Sequence, residues 1–305
     1  MAMTPIRLGR MAYINTLPVD WGLVNGTLGD LVTVHRGTPT TLNHLLAEGH
    51  LDASPVSSVA AAEHADDWLV LDHLCIGSRG EVGSVILHSD VPIEELEGRY
   101  IAVTAESATG AKLLKMLLDR HWKVQAQLTS HNGRSSALSC KEQSRELVLT
   151  KNGSLSCPSM ARLLIGDPAL KTAQLGPSGL IYDLGQVWRD YTGLGFVFGL
   201  WCVRREFVES RPDQAWMLYD LLRYSRAQGL AEAARVVAEA ATITGLSESK
   251  IETYFRKLVY DLDDELWNGL NHFLGLLGYD PGLLHRFGDA EGCMAHKPIR
   301  YACSV

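Results

Sequence analysis

The spacing of apolar residues along the first two thirds of the chain alternates between two patterns. Short apolar runs bounded by Gly, Pro, Asn or Ser are typical of strands, and apolar residues three or four positions apart are typical of helices. The predicted strands are 6–14, 31–35, 52–56, 68–76, 82–88, 100–104, 161–165, 180–183 and 195–203. The predicted helices between them are 17–24, 39–49, 57–64 and 107–118. This alternation predicts an α/β fold with a largely parallel sheet.

The last third of the chain changes to an all-helical pattern. Residues 210–213 have the composition of a helix start, and Ser249-x-x-Glu252 predicts a capping box for a later helix. The acidic run 261–265 predicts the start of another helix, because carboxylates stabilise the positive end of the helix dipole. We expect these helices to pack against the sheets.

Residues 129–160 follow neither pattern. The segment is rich in serine and holds the dipeptides Asn132-Gly133 and Asn152-Gly153, which favour turns. We interpret it as a surface insertion that forms either a hairpin or a disordered segment.

Composition and charge exclude several classes of protein. The 305 residues are 46% hydrophobic and 21% charged, as in globular proteins, and the net charge of −7 disfavours a nucleic-acid partner. The longest uncharged, apolar-rich window, 194–203, has about half of the ~20 residues that a helix needs to span a bilayer. The start of the chain lacks the apolar core of a signal peptide, and the six cysteines form no C-x-x-C pair. We therefore expect a cytoplasmic protein with reduced thiols and no membrane partner; the sequence does not indicate its oligomeric state.

The common catalytic motifs are missing from the sequence. It contains no G-x-x-x-x-G-K-[ST] loop and no G-x-S-x-G elbow, and its histidines lack the spacing of a helical metal pair. We expect neither a metal nor another cofactor. Small neutral polar residues instead follow three predicted strands: Asn15-Thr16, Ser57-Ser58 and Ser107-Ala108-Thr109. Such residues either cap the next helix or form a site for a small anion, because ligands of open α/β sheets bind at the carboxyl ends of the strands.

Several stretches in a fixed order resemble the chorismate dehydratase family. They include Asn15-Thr16-Leu17-Pro18, Ser57-Ser58, Gly80-Glu81-Val82-Gly83-Ser84, Leu163-Leu164-Ile165-Gly166-Asp167, Tyr182-Asp183-Leu184-Gly185 and Gly193-Leu194-Gly195-Phe196. The resemblance covers nearly the whole chain except 129–160 and the last dozen or so residues. It implies a two-lobed, type II periplasmic-binding-protein-like fold with C-terminal helices. One lobe would comprise 1–88 and 195–305, and the other 89–194 with the insertion.

The resemblance also implies a carbon–oxygen lyase of the futalosine route to menaquinone. Such an enzyme removes water from chorismate to give 3-[(1-carboxyvinyl)oxy]benzoate. In a crevice between the lobes, Asn15 and Ser84 would be catalytic in a substrate-assisted elimination. The residues that bind the substrate would be Ser57, Ser58, Ser107, Ala108, Thr109 and Asp167. A structural role for Asp167 is an equally good interpretation.

Two alternatives remain open at the level of sequence. One is 1,4-dihydroxy-6-naphthoate synthase, an enzyme of the same pathway and fold, whose motif differs from that at Asn15. The other is a protein that binds a small anion without converting it. Loss of one water from chorismate would separate catalysis from binding alone.

Overall fold

The computed structural model describes residues 4–25, 31–104, 108–131, 148–149, 155–156, 160–174 and 179–288. The strands are β1 (Ile6–Met11), β2 (Val32–Gly37), β3 (Ala53–Ser57), β4 (Trp68–Ser78), β5 (Val85–Ser89), β6 (Tyr100–Thr104), β7 (Gln127–His131), β8 (Val148–Leu149), β9 (Leu155–Ser156), β10 (Ala161–Ile165), β11 (Leu180–Asp183), β12 (Phe196–Arg204) and β13 (Arg286–Phe287). The α-helices are α1 (Leu17–Asn25), α2 (Pro39–Ala47), α3 (Ser58–Glu63), α4 (Ala108–Leu117), α5 (Gly166–Gln174), α6 (Leu184–Thr192), α7 (Arg205–Ser210), α8 (Pro212–Ala231), α9 (Ala233–Thr244), α10 (Glu248–Phe255) and α11 (Asp264–Leu276). Short 3₁₀ turns lie at Ile14–Thr16 and Ile93–Leu96, and a π-helical turn follows α4 at Leu118–Trp122.

The chain divides into two compact units. Unit 1 comprises Met1–Gly77 and Val197–Val305, and unit 2 comprises Ser78–Phe196. The resemblance implies a first boundary at 88/89 instead. The structure assigns the intervening residues to unit 2 because β5 pairs antiparallel with both β10 and β11.

The sheet of unit 1 has the strand order β13-β4-β12-β3-β1-β2. β1 runs parallel to β2 and β3, whereas β12 runs antiparallel to β3. Every residue of β3 is buried, and so is all of β4 except His73. Both faces of the sheet are therefore covered, so that even Ser54 of β3 and Asp72 of β4 are buried.

Helix α1 packs closely against α8 in unit 1. A Cβ atom added to Gly229 of α8 would lie only 1.9 Å from the carbonyl oxygen of Pro18, so the contact requires glycine. The Ser225 hydroxyl of α8 also donates a hydrogen bond to the Val19 carbonyl. The C-terminal helices therefore hold α1 in place over the sheet.

The sheet of unit 2 has the order β11-β5-β10-β6-β7. β6 runs parallel to β7 and β10, and β5 is the antiparallel member. Its core includes Leu113, Leu114 and Leu117 of α4 and the fully buried Trp188 of α6, whose indole N–H donates to the Gly195 carbonyl at 3.0 Å.

The two sheets share one topology. In each unit the first strand (β1 or β6) lies between the second and the third, and an antiparallel strand (β12 or β5) separates the third from the fourth. Because the antiparallel strand runs the other way, it begins at the edge where the parallel strands end. Polar residues at the ends of β1 and β3 in unit 1, and of β6 and β10 in unit 2, therefore occupy equivalent places.

Two predictions of local structure need correction, and several fall outside the described residues. β1 ends at Met11 rather than at residue 14, because the chain turns into the 3₁₀ segment there. The prediction of a capping box at Ser249–Glu252 is wrong, because α10 begins earlier, with Ser247 as its N-cap. Ser107 and most of 129–160 lie outside the described residues, although β8 and β9 within that stretch pair antiparallel. Among the helices that the structure describes, none is long and apolar enough to cross a bilayer.

Candidate active site

Asn15 lies in the 3₁₀ turn that leads from β1 into α1, at the carboxyl edge of the unit 1 sheet. Its side chain is half-buried, and its Oδ1 atom is shielded from solvent without a hydrogen-bond partner among the described residues. An unpaired buried acceptor costs about 1–3 kcal/mol. A ligand that donates a hydroxyl or N–H to Asn15 would recover that cost.

A buried carboxylate stands beside this turn. The Thr16 hydroxyl donates to Oδ2 of Asp20 at 2.8 Å, and Arg10 Nε donates to the same oxygen at 3.3 Å. Burial raises the pKa of Asp20 to about 6, although Arg10, Thr16 and Arg36 oppose the shift. Sequence analysis missed this group because an acid in the first turn of a helix is ordinarily an exposed dipole partner.

Ser57 and Ser58 join β3 to α3 at the same edge. The Ser57 side chain caps α3 by accepting from Ala60 N at 3.3 Å, as the capping interpretation predicts. Ser58 is 0% exposed and donates its hydroxyl to the Val197 carbonyl, near the start of β12, at 2.7 Å. Both hydroxyls therefore have partners within unit 1.

Ser84 lies just before β5, at the equivalent edge of unit 2. It is 4% exposed, and its carbonyl accepts from Gly166 N, the first residue of α5, at 2.8 Å. Asp167 is the next residue of α5 and is partly exposed. The structure thus brings the predicted residues Ser84 and Asp167 to one edge of the unit 2 sheet.

Asp183 holds the loop that carries Ser84. Its carboxylate accepts hydrogen bonds from the backbone N–H groups of Val82 at 3.1 Å and Gly83 at 2.6 Å. It also caps α6 through two further N–H groups, those of Gly185 and Gln186. Burial raises the pKa of Asp183 in spite of these bonds. In the sequence, Asp183 stands out only as part of the family resemblance, because bonds to residues a hundred positions away leave no local pattern.

The third predicted group of unit 2 lies after β6. Ala108 is exposed at the start of α4, Thr109 is buried, and Ser107 lies outside the described residues. Thr104, the last residue of β6, has a buried Oγ1 atom without a partner among the described residues. Because β6 corresponds to β1, Thr104 marks the same edge in unit 2 as Asn15 does in unit 1.

Neutral donors and acceptors therefore dominate the strand edges of both units. Asn15 and Thr104 offer unpaired oxygens, and Ser57, Ser84 and Thr109 add hydroxyls. Such groups do not titrate near neutral pH, so they can orient a hydroxyl or hold a carboxylate but cannot serve as a strong base.

The strand order and these edge residues define an α/β protein of the periplasmic-binding-protein-like fold with a candidate small-ligand site. Similar solved structures include a protein from Archaeoglobus fulgidus, with 17% identity, a TM-score of 0.68 and coverage of 90% of this chain and 97% of that one. Another is the alkanesulfonate-binding protein SsuA from Xanthomonas axonopodis pv. citri bound to MOPS, with 15% identity, a TM-score of 0.58 and coverage of 92% and 96%. The predicted fold class is confirmed.

The family is shown by sequence. The family model described as menaquinone biosynthesis matches residues 6–279, and the chain belongs to that family. The chain is also similar to the chorismate dehydratase of Thermus thermophilus, with 29% identity over 291 residues that cover 90% of this chain and 96% of that protein. The resemblance found in the sequence is thereby confirmed.

Proposed function

We propose that this protein is a chorismate dehydratase, a carbon–oxygen lyase that acts in menaquinone biosynthesis. The membership of the menaquinone biosynthesis family and the similarity to the Thermus enzyme support this proposal. The structural observation that carries it is the unpaired Oδ1 of Asn15 at the carboxyl edge of β1. An amide in that place suits a substrate with a hydroxyl to orient.

The reaction removes one proton and one hydroxide from neighbouring ring carbons. The C3–H electron pair becomes the C3=C4 double bond, the C4–O bond breaks, and the proton and hydroxide leave as water. The ring becomes aromatic, which supplies the driving force. The protein has mainly to orient the substrate and to stabilise the departing oxygen.

The substrate can provide its own base in this mechanism. We assign removal of the C3 proton to the enolpyruvyl carboxylate of chorismate, since Asn15 and Ser84 do not ionise near neutral pH. Asn15 would orient that carboxylate or the C4 hydroxyl through its amide. The Ser84 hydroxyl would donate to the departing oxygen.

The remaining predicted residues are assigned to substrate binding. Ser57, Ser107 and Thr109 would contribute hydroxyls to the carboxylates, and Ala108 would contribute its backbone N–H. The hydroxyl of Ser58 already donates to Val197, so Ser58 would act through its N–H. Asp167 would accept a hydrogen bond from a substrate hydroxyl.

We further infer that the enzyme acts in the cytoplasm. The two cysteines within the described residues, Cys75 and Cys202, are both buried and form no disulfide. Burial raises the pKa of the Cys202 thiol, which keeps it protonated and inert.

Mixing the purified protein with chorismate tests the proposal. We expect a product lighter than chorismate by one water, with the ultraviolet spectrum of a substituted benzoate, formed without added cofactor. Saturable binding of chorismate without that mass change would contradict the proposal and favour a binding protein. A protein that neither binds nor converts chorismate would contradict the proposal as well.

A further inference from the structure

The carboxylate of Asp20 connects the two ends of the turn that carries Asn15. Asp20 lies in the first turn of α1 and is 2% exposed. Its Oδ2 accepts from Arg10, one residue before the end of β1, and from Thr16, the last residue of the 3₁₀ turn. The strand, the turn and the helix are therefore held together at one oxygen atom.

Asn15 depends on this arrangement because its own amide oxygen has no bond among the described residues. Asn15 is the middle residue of the 3₁₀ turn Ile14–Thr16, so the backbone of that turn fixes the point from which its side chain extends. Loss of the bonds from Arg10 or Thr16 would let that backbone shift. A displacement of about 1 Å at a catalytic group can lower a rate by about 100-fold.

We propose that Asp20 is a positioning residue for Asn15, which it holds in place through Thr16 and Arg10. This inference rests on the proposed role of Asn15 in chorismate dehydration. The geometry favours positioning over general stabilisation, because the two donors, Arg10 and Thr16, lie on either side of Asn15. Removal of Asp20 alone would also leave the Arg10 and Thr16 donors without their acceptor and destabilise the fold, so the test must separate a loss of kcat from a loss of stability.

Both donors use the same oxygen of Asp20, which gives a matched pair of variants. Asp20→Asn can place its amide oxygen at that position and keep both bonds, whereas Asp20→Ala removes both. We expect Asp20→Ala to lower kcat at least about tenfold with KM changed less than about threefold, and Asp20→Asn to stay within about threefold of wild type. In an Asn15→Ala background, Asp20→Ala should cause no further loss.

Thr16 provides a second test if Asp20→Ala fails to fold. Thr16→Ser keeps the hydroxyl and should keep kcat, whereas the nearly isosteric Thr16→Val should lose activity in the same way as Asp20→Ala. Asp52→Ala is the control: Asp52 is also buried, at 1% exposure, and binds Arg7 and Arg211, but it precedes β3 at the opposite end of that strand. That control should lose stability and keep its kcat.

The outcomes separate this inference from the proposed function. A wild-type protein that leaves chorismate unchanged contradicts the function. An active wild type whose kcat is unaffected by both Asp20→Ala and Thr16→Val overturns the role of Asp20 and leaves the function standing. Equal losses of kcat in Asp20→Ala and Asp52→Ala would also overturn it, because they would show a general effect of stability.

Discussion

Replacing Asp20 by asparagine should stabilise the protein above pH 6. The carboxyl has a pKa of 3.8 in an unfolded chain and about 6 when buried in the folded one. The folded state therefore binds the proton more tightly, so stability falls as the pH rises from about 4 to 6 and then stays level. The two pKa values differ by 2.2 (6 minus 3.8), and at 1.36 kcal/mol per pKa unit this difference corresponds to about 3 kcal/mol of folding stability.

Asparagine removes the charge and keeps an acceptor for Thr16 and Arg10. The variant should therefore exceed wild type by up to about 3 kcal/mol at pH 8 and by only about 1 kcal/mol at pH 4.5. Urea unfolding at the two pH values measures the difference. Asp52→Asn is the control of opposite sign, since burial raises the pKa of Asp52 but hydrogen bonds from Arg7 and the charges of Arg211 and Arg7 outweigh it and lower that pKa. That variant should be less stable than wild type at pH 8.

Two results would refute this reasoning. One is a loss of stability in Asp20→Asn at pH 8, which would mean that the charge contributes more through its bonds than burial costs. The other is a gain that does not change with pH, which would place the effect in packing rather than in the ionisation of Asp20.

Two further predictions concern packing and loop support. Asp183→Ala should lower the free energy of unfolding by at least about 3 kcal/mol, since four N–H groups lose their acceptor, and should lower kcat because the Ser84 loop loosens. Urea unfolding and turnover measure the two effects, and an unchanged kcat in the folded variant would contradict the role of the loop. Gly229→Ala should lower the free energy of unfolding by about 1–3 kcal/mol, because the added Cβ clashes with the Pro18 carbonyl. Gly275→Ala has open space around its Cβ and should be neutral or stabilising; equal effects of the two variants in urea unfolding would contradict the close contact.

The strands were largely predictable from sequence because their apolar runs are short, continuous and bounded by turn residues. Tyr100–Thr104, Ala161–Ile165 and Leu180–Asp183 have the predicted bounds. The two helices of unit 2 at Gly166–Gln174 and Leu184–Thr192 were missed. Leu184, Val187, Trp188 and Tyr191 have the i, i+3, i+4, i+7 spacing of a helix, so the second helix was predictable; the first has one large apolar residue, Leu170.

The candidate site was predictable only in part. The positions of Asn15 and Ser57 at the carboxyl ends of strands follow from local patterns. Ser84 was expected inside the predicted strand 82–88, and it lies just before β5 instead. The roles of Asp20 and Asp183 do not follow from such patterns, because each depends on tertiary contacts. Asp20 depends on the burial of α1, and Asp183 depends on bonds to a loop a hundred residues away. Packing also decides the partner of the Ser58 hydroxyl, which lies 139 residues further along the chain.

Turnover of chorismate by the Asn15→Ala variant is the most direct measurement of the central claim. We expect its rate to fall to near background while its thermal midpoint stays close to that of wild type. Asn43→Ala is the matched control, because Asn43 also has a buried Oδ1 without a partner among the described residues but lies on α2. An Asn15→Ala protein that dehydrates chorismate as fast as wild type would contradict the account.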